Sequence, residues 1–184
     1  MAKTYNTIGT FTAGQVLNAA DMNEIGTNSN NYRVPPMAIV RRTSDLSGYA
    51  SEAAITWQSA ELDTESPSDP MWAAGAPTVV TCRTAGIYLV QLQFHATASP
   101  TQTAGGGVIR KNGTVIGENF NEWFSPGAFP ELRGNMALIV NLAVADTVAA
   151  GVRFTGGSNY IVKGNATTTY QQTRLAVTWV GQAS

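Results

Sequence analysis

Charge, cysteine, histidine and long apolar runs are all scarce in this chain. Of its 184 residues only 12% are charged, against roughly 25% in an ordinary soluble domain. The formal net charge is −1. A nucleic-acid module needs a basic stripe to meet phosphates. Here the nearest basic pairs are Arg41-Arg42 and Arg110-Lys111, so no nucleic-acid partner is expected. Cys82 is the sole cysteine, which rules out an intrachain disulfide. Flanked by Val79-Val80-Thr81, it reads as a buried inert thiol rather than a nucleophile. The longest aliphatic run, Met136 to Val140, is too short to cross a bilayer, and no membrane insertion is expected. Met1-Ala2-Lys3 leads into polar residues rather than an apolar segment, so no secretory leader is expected. The glycosylation-type triplets at Asn112 and Asn165 are read as chance for that reason.

The same scarcity weighs against catalysis. His95 is the only histidine and has no Ser-Asp constellation near it in sequence. A catalytic or metal-ligating histidine needs such partners, so a structural histidine is the expectation, with no catalytic residue, no cofactor and no metal. Gly105-Gly106-Gly107 is followed by no Lys-Ser/Thr and leads into a strand. It is not a phosphate loop and is read as a flexible loop tip.

What is present is β-texture. From Gly86 onward Tyr88, Val90, Leu92, Phe94 and Ala96 alternate with Ile87, Leu89, Gln91, Gln93 and His95, the period of a strand with one face in the core. Val108 to Lys111 and Thr114 to Ile116 flank Asn112-Gly113, a pair that tolerates the positive φ angles of a type I′ hairpin turn. Further candidate strands are 38–43, 54–57, 78–83, 86–98, 107–111, 114–118, 135–144, 147–155, 160–163 and 173–180. Asp146 suits the turn between two of them. Many short strands without a convincing long helix predict an all-β sandwich. Met136 to Val140 is apolar at consecutive positions, which predicts a strand covered on both faces, the second by another subunit or by a loop, and so argues for oligomerisation.

Residues 1–33 differ from the rest. Asn18 can cap a short helix over Ala19 to Ile25, with Gly26 ending it. Thr27 to Tyr32 reads as an Asn-rich linker closed by Pro35-Pro36. So short a helix cannot hold alone. Phe11, Leu17, Met22 and Ile25 are the candidate docking residues of this arm, and 34–184 forms the globular domain. Two long gaps stand out. The acidic stretch from Glu61 to Asp69 offers hard oxygen ligands but lacks EF-hand spacing, and a solvated loop is the preferred reading. Phe120, Trp123, Phe124 and Phe129 lie among Gly and Pro. They are candidates for a ligand platform, a covering flap or a subunit interface.

Several of these segments carry a resemblance. Ala85-Gly86-Ile87-Tyr88-Leu89-Val90 resembles the Gly-x-Tyr strand of C1q/TNF-like jelly rolls, and Arg110-Lys111-Asn112-Gly113 resembles their hairpin. Leu142 to Val148 resembles their Gly-Asp-x-Val turn, with Ala145 in place of the usual Gly. Ala13 to Asn23 is similar to N-terminal segments of tailed-bacteriophage minor tail and fibre proteins, and Trp57 with Glu61-Leu62-Asp63-Thr64 is similar to the Trp…Phe-Asp-Thr segment of such proteins, with Leu62 in place of Phe. The resemblance implies a homotrimer of ten-stranded jelly rolls with the arm as attachment segment. It also implies a structural or adhesive virion role without catalysis, and a virion location after synthesis in a bacterial cytoplasm. Its partners would be other copies of itself, other virion proteins through the arm, and a host cell-surface glycan as a further candidate. Two other classes remain open at this point: a stand-alone carbohydrate-binding module using Trp123 and Phe124, and a hydrolase on an all-β scaffold.

Overall fold

A computed structural model describes residues 18–49, 52–97, 104–122, 131–155, 160–165 and 172–182. One helix precedes twelve strands. Helix α1 spans Ala19–Arg33, longer than the two turns expected. Its start is fixed by a reciprocal cap: the Asp21 amide donates to Asn18 Oδ1 at 2.9 Å, and the Asn18 amide donates to Asp21 Oδ2 at 3.3 Å. Gly26 does not end it. The chain leaves the helix only before Val34-Pro35-Pro36, where a following proline disfavours helical backbone. No strand packs extensively against α1 among the described residues.

The strands are β1 (Met37–Arg41), β2 (Leu46–Tyr49), β3 (Glu52–Ala54), β4 (Ser59–Asp63), β5 (Val79–Thr81), β6 (Gly86–Thr97), β7 (Ala104–Lys111), β8 (Thr114–Glu122), β9 (Glu131–Leu142), β10 (Thr147–Thr155), β11 (Tyr160–Val162) and β12 (Arg174–Gly181). They form two antiparallel sheets. The larger runs β2-β11-β6-β12-β1-β4, with β9 paired to the other side of β6. The smaller runs β3-β10-β7-β8, with β5 also on β10. The inward faces bury one continuous core that includes Trp57, Tyr88, Val90, Leu92, Phe94, Ile109, Val152, Phe154, Leu175 and Val177. This is the jelly-roll sandwich expected, with twelve strands among the described residues where the resemblance implies ten.

Four expectations are corrected by the backbone. Residues 59–63, taken as loop, form edge strand β4, whose charged side chains suit an edge. Ile55 and Trp57 are buried just beyond β3 rather than in a strand. Phe120, expected in a loop, lies in the extension of β8, where it pairs with Gly106. The glycine run is not a loop tip: Gly105 to Gly107 sit buried within β7. A Cβ on Gly107 would fall 2.7 Å from Phe94 Cε1, and one on Gly134 would fall 2.4 Å from Phe94 Cζ. The ring of Phe94 therefore occupies the space that side chains at those two positions would need.

The end of the sandwich is closed by two interlocked turns. Asn112 (φ 49°) and Gly113 (φ 81°) make the two-residue hairpin between β7 and β8. Asn112 Nδ2 donates to Asp146 Oδ1 at 2.6 Å, and the Thr147 amide donates to Asn112 Oδ1 at 2.8 Å. Asp146 Oδ2 also accepts from the Ala143 amide at 2.7 Å and pairs with Lys111 Nζ at 2.9 Å. Ala145, at φ 72°, holds a conformation that favours glycine.

Two predictions follow from this end of the molecule. Ala145→Gly relieves the left-handed strain and should raise unfolding stability by about 0.5–1 kcal/mol in urea titrations; a loss of stability would contradict the strain. The hydrogen bonds from Lys111, Asn112 and Ala143 hold the Asp146 carboxyl at about 2, below its ordinary 3.8. A lowered carboxylate pKa stabilises the fold above the ordinary value, and that contribution fades as pH falls through about 2. Asp146→Asn should therefore flatten the acid limb of the stability curve across that window, and an unchanged limb would refute the assignment.

Candidate functional site

The outer face of the larger sheet carries Ile139, the most exposed of the large apolar side chains described. Register places its side chains in rows across the strands. Ile139, Leu89, Thr178 and Met37 stand side by side on β9, β6, β12 and β1. The next row is Ala137, Gln91, Ala176, Ile39 and Leu62. The third is Asn135, Gln93, Arg174 and Arg41. The face thus grades from apolar at one end to amide and charge at the other.

At the apolar end Leu89, Thr178 and Met37 are half-buried and Ile139 is open. Ile139 is 73% exposed in mid-strand, although its neighbours Leu138 and Val140 pack against the core. The run Met136 to Val140 does alternate in burial, with one face inward and one face open. The expectation that both faces are covered holds within one chain only for the inner face. At the polar end, the small side chains Ala137 and Ala176 leave a depression of about 450 Å³ bordered by Gln91, Gln93, Asn135 and Arg174. Glu61 on β4 bridges Arg41 at 3.1 Å and Arg174 at 2.7 Å. Beyond it His95 is buried, with Nε2 3.6 Å from Glu131, which also pairs with Arg133 at 2.7 Å.

The outer face of the smaller sheet is different in kind. Glu52 binds both Arg110 and Arg153, the latter at 3.2 Å, and Arg153 reaches Glu118 at 2.5 Å. This chain of opposite charges ties β3, β7, β10 and β8 together. The Arg110 guanidinium is the main reason the Glu52 carboxyl lies below its ordinary range. Paired charges of this sort suit a surface that meets water.

The Gly-x-Tyr start of β6 sets the larger sheet in place. A Cβ on Gly86 would lie 2.1 Å from Trp179 Nε1, so only glycine admits the indole there. The Tyr88 hydroxyl, fully buried, donates to Thr84 O at 2.5 Å. Cys82 Sγ donates to the same carbonyl at 3.0 Å, and burial pushes its thiol above the ordinary value. Cys82 is therefore held as a neutral packing group.

The acidic stretch is engaged within the fold. Asp63 accepts the amides of Glu65 at 3.1 Å and Trp72 at 3.0 Å. Glu65, only 5% exposed, accepts the Thr84 hydroxyl at 3.0 Å. Asp69 pairs with Arg83 at 3.1 Å. These carboxylates diverge, and no group of three or more acidic, His or Cys side chains gathers around a common point among the described residues. Of the other candidates, Met22 is exposed and Ile25 half-buried on α1. Phe11, Leu17, Trp123, Phe124 and Phe129 lie outside the described residues. The row order and the Arg41–Glu61–Arg174 bridge escaped the sequence reading, because strand register is not written in any one segment.

No protein-family model and no curated protein matches the chain. Solved structures do resemble it. Murine APRIL at pH 8.0 superposes with a TM-score of 0.53 at 12% identity, over 79% of this chain and 98% of that one. The globular domain of zebrafish complement 1qA gives 0.50 at 12% identity, over 80% of this chain and 99% of that one. Likeness at such low identity speaks to architecture alone, and with the strand pairing above it gives the fold: a TNF/C1q-like jelly-roll β-sandwich with a short helix at its N-terminal side.

Proposed function

We propose that the chain is a structural virion protein of a tailed bacteriophage, a tail, fibre or head appendage, whose heads associate as a homotrimer through the outer face of the larger sheet. The observation that carries the self-association is Ile139, 73% exposed on β9 at the end of a row that continues through half-buried Leu89, Thr178 and Met37. Exposed apolar side chains that adjoin one another across strands favour a contact surface. The polar rows beside it would set the register of the contact rather than its strength. The phage reading is supported by the resemblance of residues 13–23 and 57–64 to phage tail and fibre segments, and by a helix that leads into β1 through Pro35-Pro36. A trimer matches three equivalent sites on a particle axis, and it triples each loop-tip contact with a host surface. The location that follows from this reading is the virion, with the arm bound to neighbouring particle proteins.

The test of the role is mass spectrometry of purified particles produced from the encoding genome. The chain should be present in copies that are multiples of three, and its absence from the particles would overturn the reading. The test of the contact is Ile139→Asp. Exposed substitutions usually change fold stability by no more than about 0.5 kcal/mol, so the variant should keep its β-sheet circular dichroism while its sedimentation mass drops to that of one chain. An undiminished mass would place the contact elsewhere.

A further inference from the structure

The hairpin tip carries a chemistry that neither the jelly-roll fold nor the virion reading uses. In Asn112-Gly113 both residues are exposed and both have positive φ. Gly113 has open space where a Cβ would be, so nothing shields its backbone nitrogen sterically. An asparagine followed by glycine is prone to cyclise. The Gly113 nitrogen attacks Asn112 Cγ, a new C–N bond forms, the Cγ–Nδ2 bond breaks, and ammonia leaves carrying the proton from Gly113. Water then opens the succinimide to aspartate or isoaspartate, with no change of oxidation state.

The structure holds the reacting groups away from this path. The Asn112 amide is engaged at both ends by another turn: Nδ2 donates to Asp146 Oδ1 at 2.6 Å, and Oδ1 accepts from the Thr147 amide at 2.8 Å and the Thr147 hydroxyl at 3.3 Å. The Asn112 backbone amide donates to Thr147 O at 2.9 Å. Asp146 is itself fixed by Lys111 Nζ at 2.9 Å and the Ala143 amide at 2.7 Å. Cyclisation requires the side chain to leave these partners and turn toward its own following peptide. We propose that Asn112 is a latent deamidation site that the Asp146 turn keeps closed, so that the modification proceeds only when the two turns separate. Once formed, an aspartate at this position would set its carboxylate against that of Asp146, where a donor stood before. Like charges at hydrogen-bond distance repel, so the modified end could not close again, and the change would be one-way.

The test follows the amide-to-acid mass change in the peptide spanning residues 112 and 113, in mildly alkaline buffer. Three samples are compared: the native protein, the native protein unfolded in guanidinium, and native Asp146→Ala. The need to break the hydrogen bonds to the Asn112 side-chain amide should slow the native reaction by on the order of tenfold or more relative to the unfolded chain, and Asp146→Ala should recover much of the unfolded rate while keeping its circular dichroism. If Asp146→Ala does not fold, Lys111→Ala loosens the same carboxylate, with the same direction expected. Native deamidation as fast as in the unfolded chain would overturn the protection, and a folded variant as slow as the parent would overturn the role of Asp146.

Discussion

The inward face of β6 buries Tyr88, Val90, Leu92, Phe94 and Ala96, and the sandwich closes over it only because two glycines give way to Phe94. Gly134 stands directly across from Phe94 on β9, and Gly107 approaches the same ring from the opposite sheet. Burying a phenylalanine contributes roughly 1.5–3 kcal/mol, but the larger consequence is positional. The ring fixes the separation of the sheets at one point, and β9 then follows β6 residue for residue from Gly86 to Thr97. Every row on the outer face inherits its alignment from that ladder. Trp179 against Gly86 holds β12 beside β6 at the other end of the strand, within the larger sheet.

With β9 locked in register, the odd-numbered residues 133–141 have nowhere to go but outward. A strand that is apolar at consecutive positions can be satisfied on one face by its own core. Its other face, with Arg133, Asn135, Ala137, Ile139 and Asn141, stays open within one chain. The contrast between the two sheets makes the point. The smaller sheet ends in a neutralised chain of Glu52, Arg110, Arg153 and Glu118, whereas the larger ends in a row of Ile139, Leu89, Thr178 and Met37. The two outer faces therefore differ in kind, one neutralised by paired charges and one carrying the exposed Ile139.

Much of this could be read from the chain alone, for identifiable reasons. The alternation of residues 86–97 and the Asn112-Gly113 turn are local signals, and they appear where expected. The replacement of glycine by Ala145 could be read as a departure, and the positive φ there shows what that departure costs. Other features were hidden because their cause is distant in sequence. The glycine run of β7 looked like a loop tip, since nothing in residues 105–107 reveals that a phenylalanine on β6 needs the space. The acidic strand β4 looked like a loop, because Arg41 and Arg174, which neutralise Glu61, lie on other strands. Helix α1 ran past Gly26 because the proline pair, not the glycine, is the effective stop.

The account stands on the claim that the outer face of the larger sheet is a contact between copies of this chain. Light scattering coupled to size-exclusion chromatography of the native protein measures that claim most directly. The account predicts a mass of three chains, retained on dilution through the micromolar range. A mass of one chain across that range would contradict it.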